Sequence, residues 1–295
     1  MGEQYPVLVT SISSIISGSI SRLIVHPLDT IKAKLQIQQG TQFPQFSNIR
    51  SCVTKTFAEE GTKGLYRGLT ASVVGSIPSV CIYLTSYEIA KQHLLQYEVV
   101  QKSPFLAFLS AGMFAETMAC AIFVPVDVIK ERLQVQSNLK IYNYSGGWDA
   151  LKTIGRTEGI RGIYRAYGAT IASFGPFSAL YFMFYEQFKR LSVGTAKEID
   201  FWPSLLCSAT AGSLAAWVTN PLDMAKVRMQ VVRASKGHSK FAYKSMFHGI
   251  GLIYKEEGFR ALFQGSLARI MFHTPNTAII MSITEYVRRI VEEFI

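Results

Sequence analysis

Three aspartates and three lysines recur in phase along this chain, and their chemistry is that of ion pairing. They stand in octamers beginning at Pro27, Pro125 and Pro221: Asp29 with Lys32, Asp127 with Lys130, and Asp223 with Lys226. Each octamer proline is followed nine residues later by a glutamine, at Gln36, Gln134 and Gln230. The prolines lie 98 and 96 residues apart in a chain of 295, which reads as three copies of one unit. An acid and a base three apart on a helix share one face. At membrane depth such charges are costly unless they find partners. In a threefold ring each helix offers its acid to one neighbour and its base to the other. That order predicts Asp29 with Lys130, Asp127 with Lys226 and Asp223 with Lys32, each pair bridged by a glutamine. A second set repeats in register: Tyr87-Glu88 with Lys91, Tyr185-Glu186 with Lys189, and Thr284-Glu285 with Arg288. These would close the opposite end. Six permanently buried pairs would be a poor source of stability; pairs that close alternately act as switches, so the two sets read as two gates.

The elements that must position these charges follow from the same alignment of copies, with repeats over 1–100, 101–198 and 199–295 forming one structural domain. Each begins with an apolar helix ending in the octamer, over 7–38, 104–137 and 203–233. A short amphipathic helix follows, over 47–59, 146–157 and 243–256, and then an acid-Gly turn led by Glu60, Glu158 or Glu257. A second apolar helix closes the unit, over 70–96, 168–191 and 266–291. The chain is 49% hydrophobic and 17% charged with mean hydropathy +0.20, greasier than a typical soluble domain. Its apolar stretches are seeded with Ser, Gly and Thr, which let helices approach closely in lipid. The expected fold is an all-α membrane protein: six transmembrane helices in three pseudo-threefold repeats around a wet interior, with both termini on one side. The prolines are expected to break or kink the first helix of each repeat.

The net charge of +10 is spread over basic stretches that flank apolar helices, which points to an anionic membrane surface and not to nucleic acid. The four cysteines, Cys52, Cys81, Cys120 and Cys207, have no metal-ligand spacing and read as small apolar fillers. Met1–Pro6 is too short for a cleavable leader, so targeting information is expected to be internal. No nucleophile-base-orienter set and no Walker-type loop is present, so neither an enzyme, nor a cofactor, nor ATP drive is expected.

The three P-x-D-x-x-K-x-[KR]-x-Q signatures, the acid-Gly turns and the three Glu-x-x-[Lys/Arg] signatures resemble the mitochondrial carrier family across essentially the whole chain. The resemblance implies the inner mitochondrial membrane, both termini toward the intermembrane space, and cardiolipin at the matrix helix ends. It implies a matrix gate from Asp29, Lys32, Gln36, Asp127, Lys130, Gln134, Asp223, Lys226 and Gln230. A cytoplasmic gate would come from Tyr87, Glu88, Lys91, Tyr185, Glu186, Lys189, Glu285 and Arg288. It places substrate contacts around Gly75, Ser76, Ser173, Phe174, Phe272 and His273. The chain departs from the family at Thr284, where an aromatic brace is expected, at Ala166 in place of Gly, and at Gln264 in place of a base.

A solute lacks threefold symmetry, so positions polar in one copy alone are candidates for recognising it. This picks out Arg22 against Cys120 and Ala216, Glu116 against Gly18 and Gly212, and Arg269 against Ser72 and Thr170. Arg22 and Arg269 suit a carboxylate or phosphate; Glu116 suits an ammonium, a proton, or an internal pair with Arg22. Either arginine could instead pair internally. The set is too sparse for a nucleotide triphosphate; it fits a zwitterion or a small anion, imported or exchanged. Tyr83, Tyr181, Trp217 and Asn220 are further candidates for the cavity wall. The alternative function is a carrier-fold structural subunit of a larger inner-membrane, respiratory assembly.

Overall fold

The computed structural model describes residues 4–37, 46–97, 104–139, 143–193, 201–231, 243 and 245–294. Helices account for nearly all of them: α1 (Gln4–Ile37), α2 (Ile49–Leu65), α3 (Leu69–Leu94), α4 (Pro104–Leu139), α5 (Gly147–Thr157), α6 (Gly159–Ile163), α7 (Tyr167–Val193), α8 (Phe201–Val218), α9 (Asn220–Val231), α10 (Met246–Glu257), α11 (Phe259–Leu262) and α12 (Ser266–Phe294). The long helices form a closed ring in chain order, α1 on α3, α3 on α4, α4 on α7, α7 on α8, α8 on α12, and α12 back on α1. The most extensive contacts join one repeat to the next, α3 with α4 and α12 with α1.

The helices are turned inside out relative to a soluble bundle. On α1, Ser13, Ser17 and Ser21 are buried while Ile12, Ile16, Ile20 and Ile24 are exposed, two stripes each of period four. A lipid-facing surface requires that inversion. By length and composition, Leu69–Leu94 and Phe108–Ser137 are apolar enough to cross a membrane.

The short helices α2 and α10 start where side chains cap them. Asn48 Oδ1 accepts from the Ser51 amide at 2.8 Å, and Ser245 Oγ from the His248 amide at 3.3 Å. The caps place these starts two or three residues later than the amphipathic pattern alone predicts.

Only the third proline coincides with a break. Pro27 and Pro125 lie inside continuous helices, whereas α8 ends at Val218 and α9 begins at Asn220, just before Pro221. There the Asn220 amide nitrogen donates to the Leu262 carbonyl at 2.7 Å, tying the break to α11. Proline removes a donor in all three copies; His26 makes a similar bond to the Arg67 carbonyl at 2.9 Å in the first repeat, where the helix nevertheless runs on.

Gly75 belongs to the packing and does not line the central cavity. A Cβ there would lie 2.2 Å from Val126 Cγ2, so glycine is what lets α3 and α4 touch. The neighbouring Ser76 is buried and donates to the Val73 carbonyl at 2.8 Å. Neither of these two expected substrate contacts is among the residues lining the cavity in this structure.

The turn into each repeat's second long helix uses a left-handed residue: Gly68 at φ 81°, Ala166 at φ 68° and Gly265 at φ 77°. Alanine costs about 1–2 kcal/mol in that conformation. Its methyl is buried among Ala169, Ala225 and Met246, which offsets roughly 0.8 kcal/mol of the cost. Gly265 has no such latitude, since a Cβ would stand 3.0 Å from Gln36 Cγ.

Candidate functional site

The octamer charges meet on the axis in a complete ring. Lys130 Nζ lies 2.8 Å from Asp29, Lys226 Nζ 2.9 Å from Asp127, and Lys32 Nζ 2.8 Å from Asp223. Each glutamine donates its amide into the ring: Gln36 to Asp223 at 2.9 Å, Gln134 to Asp29 at 3.3 Å, and Gln230 to Asp127 at 2.8 Å. All three aspartates are less than a tenth exposed. Beyond the ring an apolar layer drawn from all three repeats, including Ala33, Ile37, Val128, Val135, Val227 and Val231, seals the same end.

The ring is not symmetric in charge. Lys130 also reaches Asp127 at 3.4 Å and Glu131 at 3.1 Å, so one ammonium serves three carboxylates. Across the ring Arg269 adds a cation, its Nε 3.5 Å from Asp223, its Nη1 donating to the Ala216 carbonyl at 2.8 Å. Its guanidinium sits 5.7 Å from the centre of the Phe177 ring. Arg269 is 6% exposed and internally paired, one of the two expectations open for it.

A second tier of bases ties the ring to the short helices. Arg132 grips Glu158 bidentately at 2.6 and 2.9 Å while its Nε donates to the Gln230 carbonyl at 3.1 Å. Arg228 does the same with Glu257 at 2.5 and 3.0 Å and with the Gln36 carbonyl at 3.1 Å. In the first repeat Lys34 pairs with Glu60, which Arg67 also meets at 3.0 Å. Burial alone would raise the Glu60 carboxyl; hydrogen bonds from Lys34 and Ser137, with the charges of Lys34 and Arg67, outweigh it and hold it below its ordinary 4.5. Sequence reasoning quoted both halves of these pairs without joining them. The signal was present: base and acid stand 26, 26 and 29 residues apart in the three copies.

Above the ring lies a cavity of about 500 Å³. Its wall includes Arg22, Glu116, Ser173, Phe174, Arg269, Phe272 and His273 from the sequence-derived set, together with the three aspartates and three lysines. Ser173 donates to the Thr170 carbonyl at 2.9 Å, and His273 packs between Phe177 and Phe272, each 5.4 Å away between ring centres. Arg22 donates to Ser72 at 2.8 Å, and Glu116 accepts only a 3.6 Å contact from the Cys120 thiol, so the internal Arg22–Glu116 pair is not formed. Gly18 is open to the cavity, with nothing within 4 Å of a notional Cβ, and is not a close helix contact.

Tyr83, Tyr181, Trp217 and Asn220 lie off this wall: Trp217 is 48% exposed, and the Tyr181 hydroxyl shares a 2.5 Å hydrogen bond with Ser208. Of the cysteines, Cys52, Cys120 and Cys207 are buried fillers, while Cys81 is exposed. His26, Glu131, Phe177 and Asn276 line the cavity and were missed. Glu131 was discoverable, since its counterparts are Ala33 and Val227 and the test for lone polar positions was not applied inside the octamer.

Among the described residues the opposite end shows no matching ring. Glu88 pairs with Lys91 of its own helix at 3.5 Å, both about a third exposed. Tyr87 stacks on Tyr83 at 6.2 Å, and the Tyr185 and Ser204 hydroxyls lie 3.3 Å apart. Glu186 is exposed and Lys189 half-buried. The side chains of Glu285 and Arg288 lie outside the described residues. Among the described side chains, no ion pair crosses between helices at this end.

Comparison with known proteins matches the model of the family described as "Mitochondrial carrier protein" to residues 3–98, 101–195 and 197–294, one match per repeat. The chain belongs to the mitochondrial carrier family. This carrier is 34% identical to mitochondrial substrate carrier family protein E of Dictyostelium discoideum, over 95% of this chain and 94% of that one. It is also 34% identical to the mitochondrial S-adenosylmethionine carrier protein of Xenopus tropicalis, over 86% and 85%. A third relative, the mitochondrial aspartate-glutamate transporter of Saccharomyces cerevisiae, is 33% identical over 88% of this carrier and 29% of its own length. Its departure at Thr284 leaves a different link in place, the Thr284 hydroxyl donating to Ser17 at 2.8 Å and joining α12 to α1.

Proposed function

We propose that this carrier moves a small metabolite across the inner mitochondrial membrane by alternating access, with both termini toward the intermembrane space. The octamer ring is the matrix gate, closed here; the Glu88, Glu186 and Glu285 set with Lys91, Lys189 and Arg288 is the cytoplasmic gate, where among the described side chains no ion pair joins neighbouring helices. The observation that carries this reading is the difference between the two ends: a ring complete to three pairs and three glutamine bridges below the cavity, and Glu88 spending its charge within its own helix above it. Closing the upper set would need exchange of such local partners for those on neighbouring helices, while the ring below opens. Cargo binding supplies the differential free energy for that exchange. Antiport follows if neither gate can open fully without a bound solute. The exposed aromatics Phe57, Trp148, Phe247 and Phe259 on the short helices suit a membrane interface, where cardiolipin is the lipid the reading expects.

The cargoes named for two relatives, S-adenosylmethionine and the pair aspartate and glutamate, are the first to test. Purified protein in cardiolipin-containing liposomes preloaded with unlabelled solute accumulates a labelled counterpart at least tenfold over protein-free liposomes. Lys226→Ala, which removes the cross-ring partner of Asp127, abolishes the uptake. Failure to move any solute class, with stable co-purification in a larger membrane assembly, contradicts transport and favours the structural role.

A further inference from the structure

The cavity wall carries five cationic and five anionic side chains, so its formal charges cancel. Eight of the ten are paired: six within the ring, Glu131 on Lys130 at 3.1 Å, and Arg269 near Asp223 at 3.5 Å. The remaining two are Arg22 and Glu116, on α1 and α4. Among the described residues neither has an ion-pair partner; Arg22 holds a neutral hydroxyl and Glu116 a long thiol contact. A charge withdrawn from bulk water without a counter-charge is unfavourable. Their opposite signs in one chamber call for a ligand that brings both counter-charges at once.

Their heights narrow the ligand further. Arg22 precedes Asp29 by seven residues and Glu116 precedes Asp127 by eleven. The ring holds the two aspartates at one level, so at 1.5 Å per residue the Arg22 backbone stands about 10 Å above it and the Glu116 backbone about 16 Å, while the Arg22 guanidinium reaches across to Ser72. The offset of about 6 Å along the axis adds to their separation across the chamber. Two charged groups several ångströms apart on one ligand match that staggered placement better than an ammonium and a carboxylate on one carbon. Deepening the transport reading, and resting on it, we propose that Arg22 and Glu116 select a zwitterion whose cationic group is remote from its carboxylate. The guanidinium takes the carboxylate as a fork, and Glu116 takes the remote cation. Amino acids with a basic side chain or a sulfonium belong to this class. Dicarboxylates and nucleoside polyphosphates do not.

Binding is read by thermal stabilisation of the purified carrier in detergent and uptake by the same preparation in liposomes, with L-ornithine, S-adenosylmethionine, L-aspartate, malate and ADP as probes. At least one of the first two stabilises the protein and enters at least tenfold more effectively than L-aspartate, malate or ADP. Glu116→Gln, melting as the parent does without solute, loses at least tenfold in affinity for that probe and narrows its lead over L-aspartate. Arg22→Gln weakens every carboxylate-bearing probe. Preferential uptake of L-aspartate, malate or ADP overturns this inference and leaves transport standing, as does a Glu116→Gln carrier with undiminished preference. Silence toward every probe in both assays overturns the inference, and transport falls with it only when the wider solute panel is silent too.

Discussion

Lys130→Ala stops uptake and destabilises the carrier more than Lys32→Ala or Lys226→Ala does. The three lysines occupy equivalent places, but their duties differ. Lys226 and Lys32 each face one aspartate across the ring, whereas Lys130 lies within 3.4 Å of Asp29, Asp127 and Glu131. Removing it leaves three carboxylates crowded in a chamber where none is more than a tenth exposed. Breaking one buried pair by deleting a partner costs about 3–5 kcal/mol; here the repulsion among the survivors adds to it. Thermal melting of the three variants in one detergent, with uptake in parallel, measures the order. Adding Glu131→Gln to Lys130→Ala removes one of the stranded charges and returns part of the lost stability. Equal losses for all three lysine variants would show that Glu131 places no special demand on Lys130.

Arg132→Ala lowers stability by about 3–5 kcal/mol, a fall in melting temperature of roughly 5–15 °C. Arg132 is 0% exposed, holds both oxygens of Glu158, and spends its third donor on the Gln230 carbonyl. Truncation therefore strands a carboxylate whose side chain is only 8% exposed and frees the backbone of the glutamine that bridges Asp127. Arg132→Lys keeps the charge and loses the fork, so its loss is intermediate. The first repeat shows what a lysine needs at this place. Lys34 shares Glu60 with Arg67 and with Ser137, whose hydroxyl donates at 2.7 Å. Melting curves of the two Arg132 variants check the prediction, and an Arg132→Lys protein as stable as the parent contradicts it.

The ring was legible because three in-phase octamers leave only two cyclic arrangements that pair every charge, and the structure has the one expected, Asp29 with Lys130. The ring of helices was legible for the same reason, since threefold repetition with two long helices per copy closes on itself. Contacts that break the symmetry were harder to see. Whether Gly75 faced the chamber or Val126 depends on how closely α3 approaches α4, and residue types do not report that distance. Trp217 and Asn220 share one stretch, yet one faces outward and the other ties down the break before Pro221, a difference set by where α8 stops. Ala166 looked like a defect in the pattern. Its buried methyl shows how alanine is tolerated where its counterparts are glycine.

Two label pairs report the account's central claim without any knowledge of the cargo. One joins Tyr97→Cys to Leu191→Cys at the open end, where these side chains are 65% and 81% exposed. The other joins Trp148→Cys to Phe247→Cys on the short helices, at 69% and 74% exposure. Both are built on Cys81→Ser, which removes the exposed native thiol. Asp127→Asn weakens the ring by releasing Lys226, and a bias of about 3–5 kcal/mol suffices to shift a two-state population by a hundredfold or more. Electron-spin distance measurement in lipid is predicted to show the short-helix pair moving apart and the open-end pair drawing together in that variant. Separation at the short helices with no approach at the other end would contradict alternation.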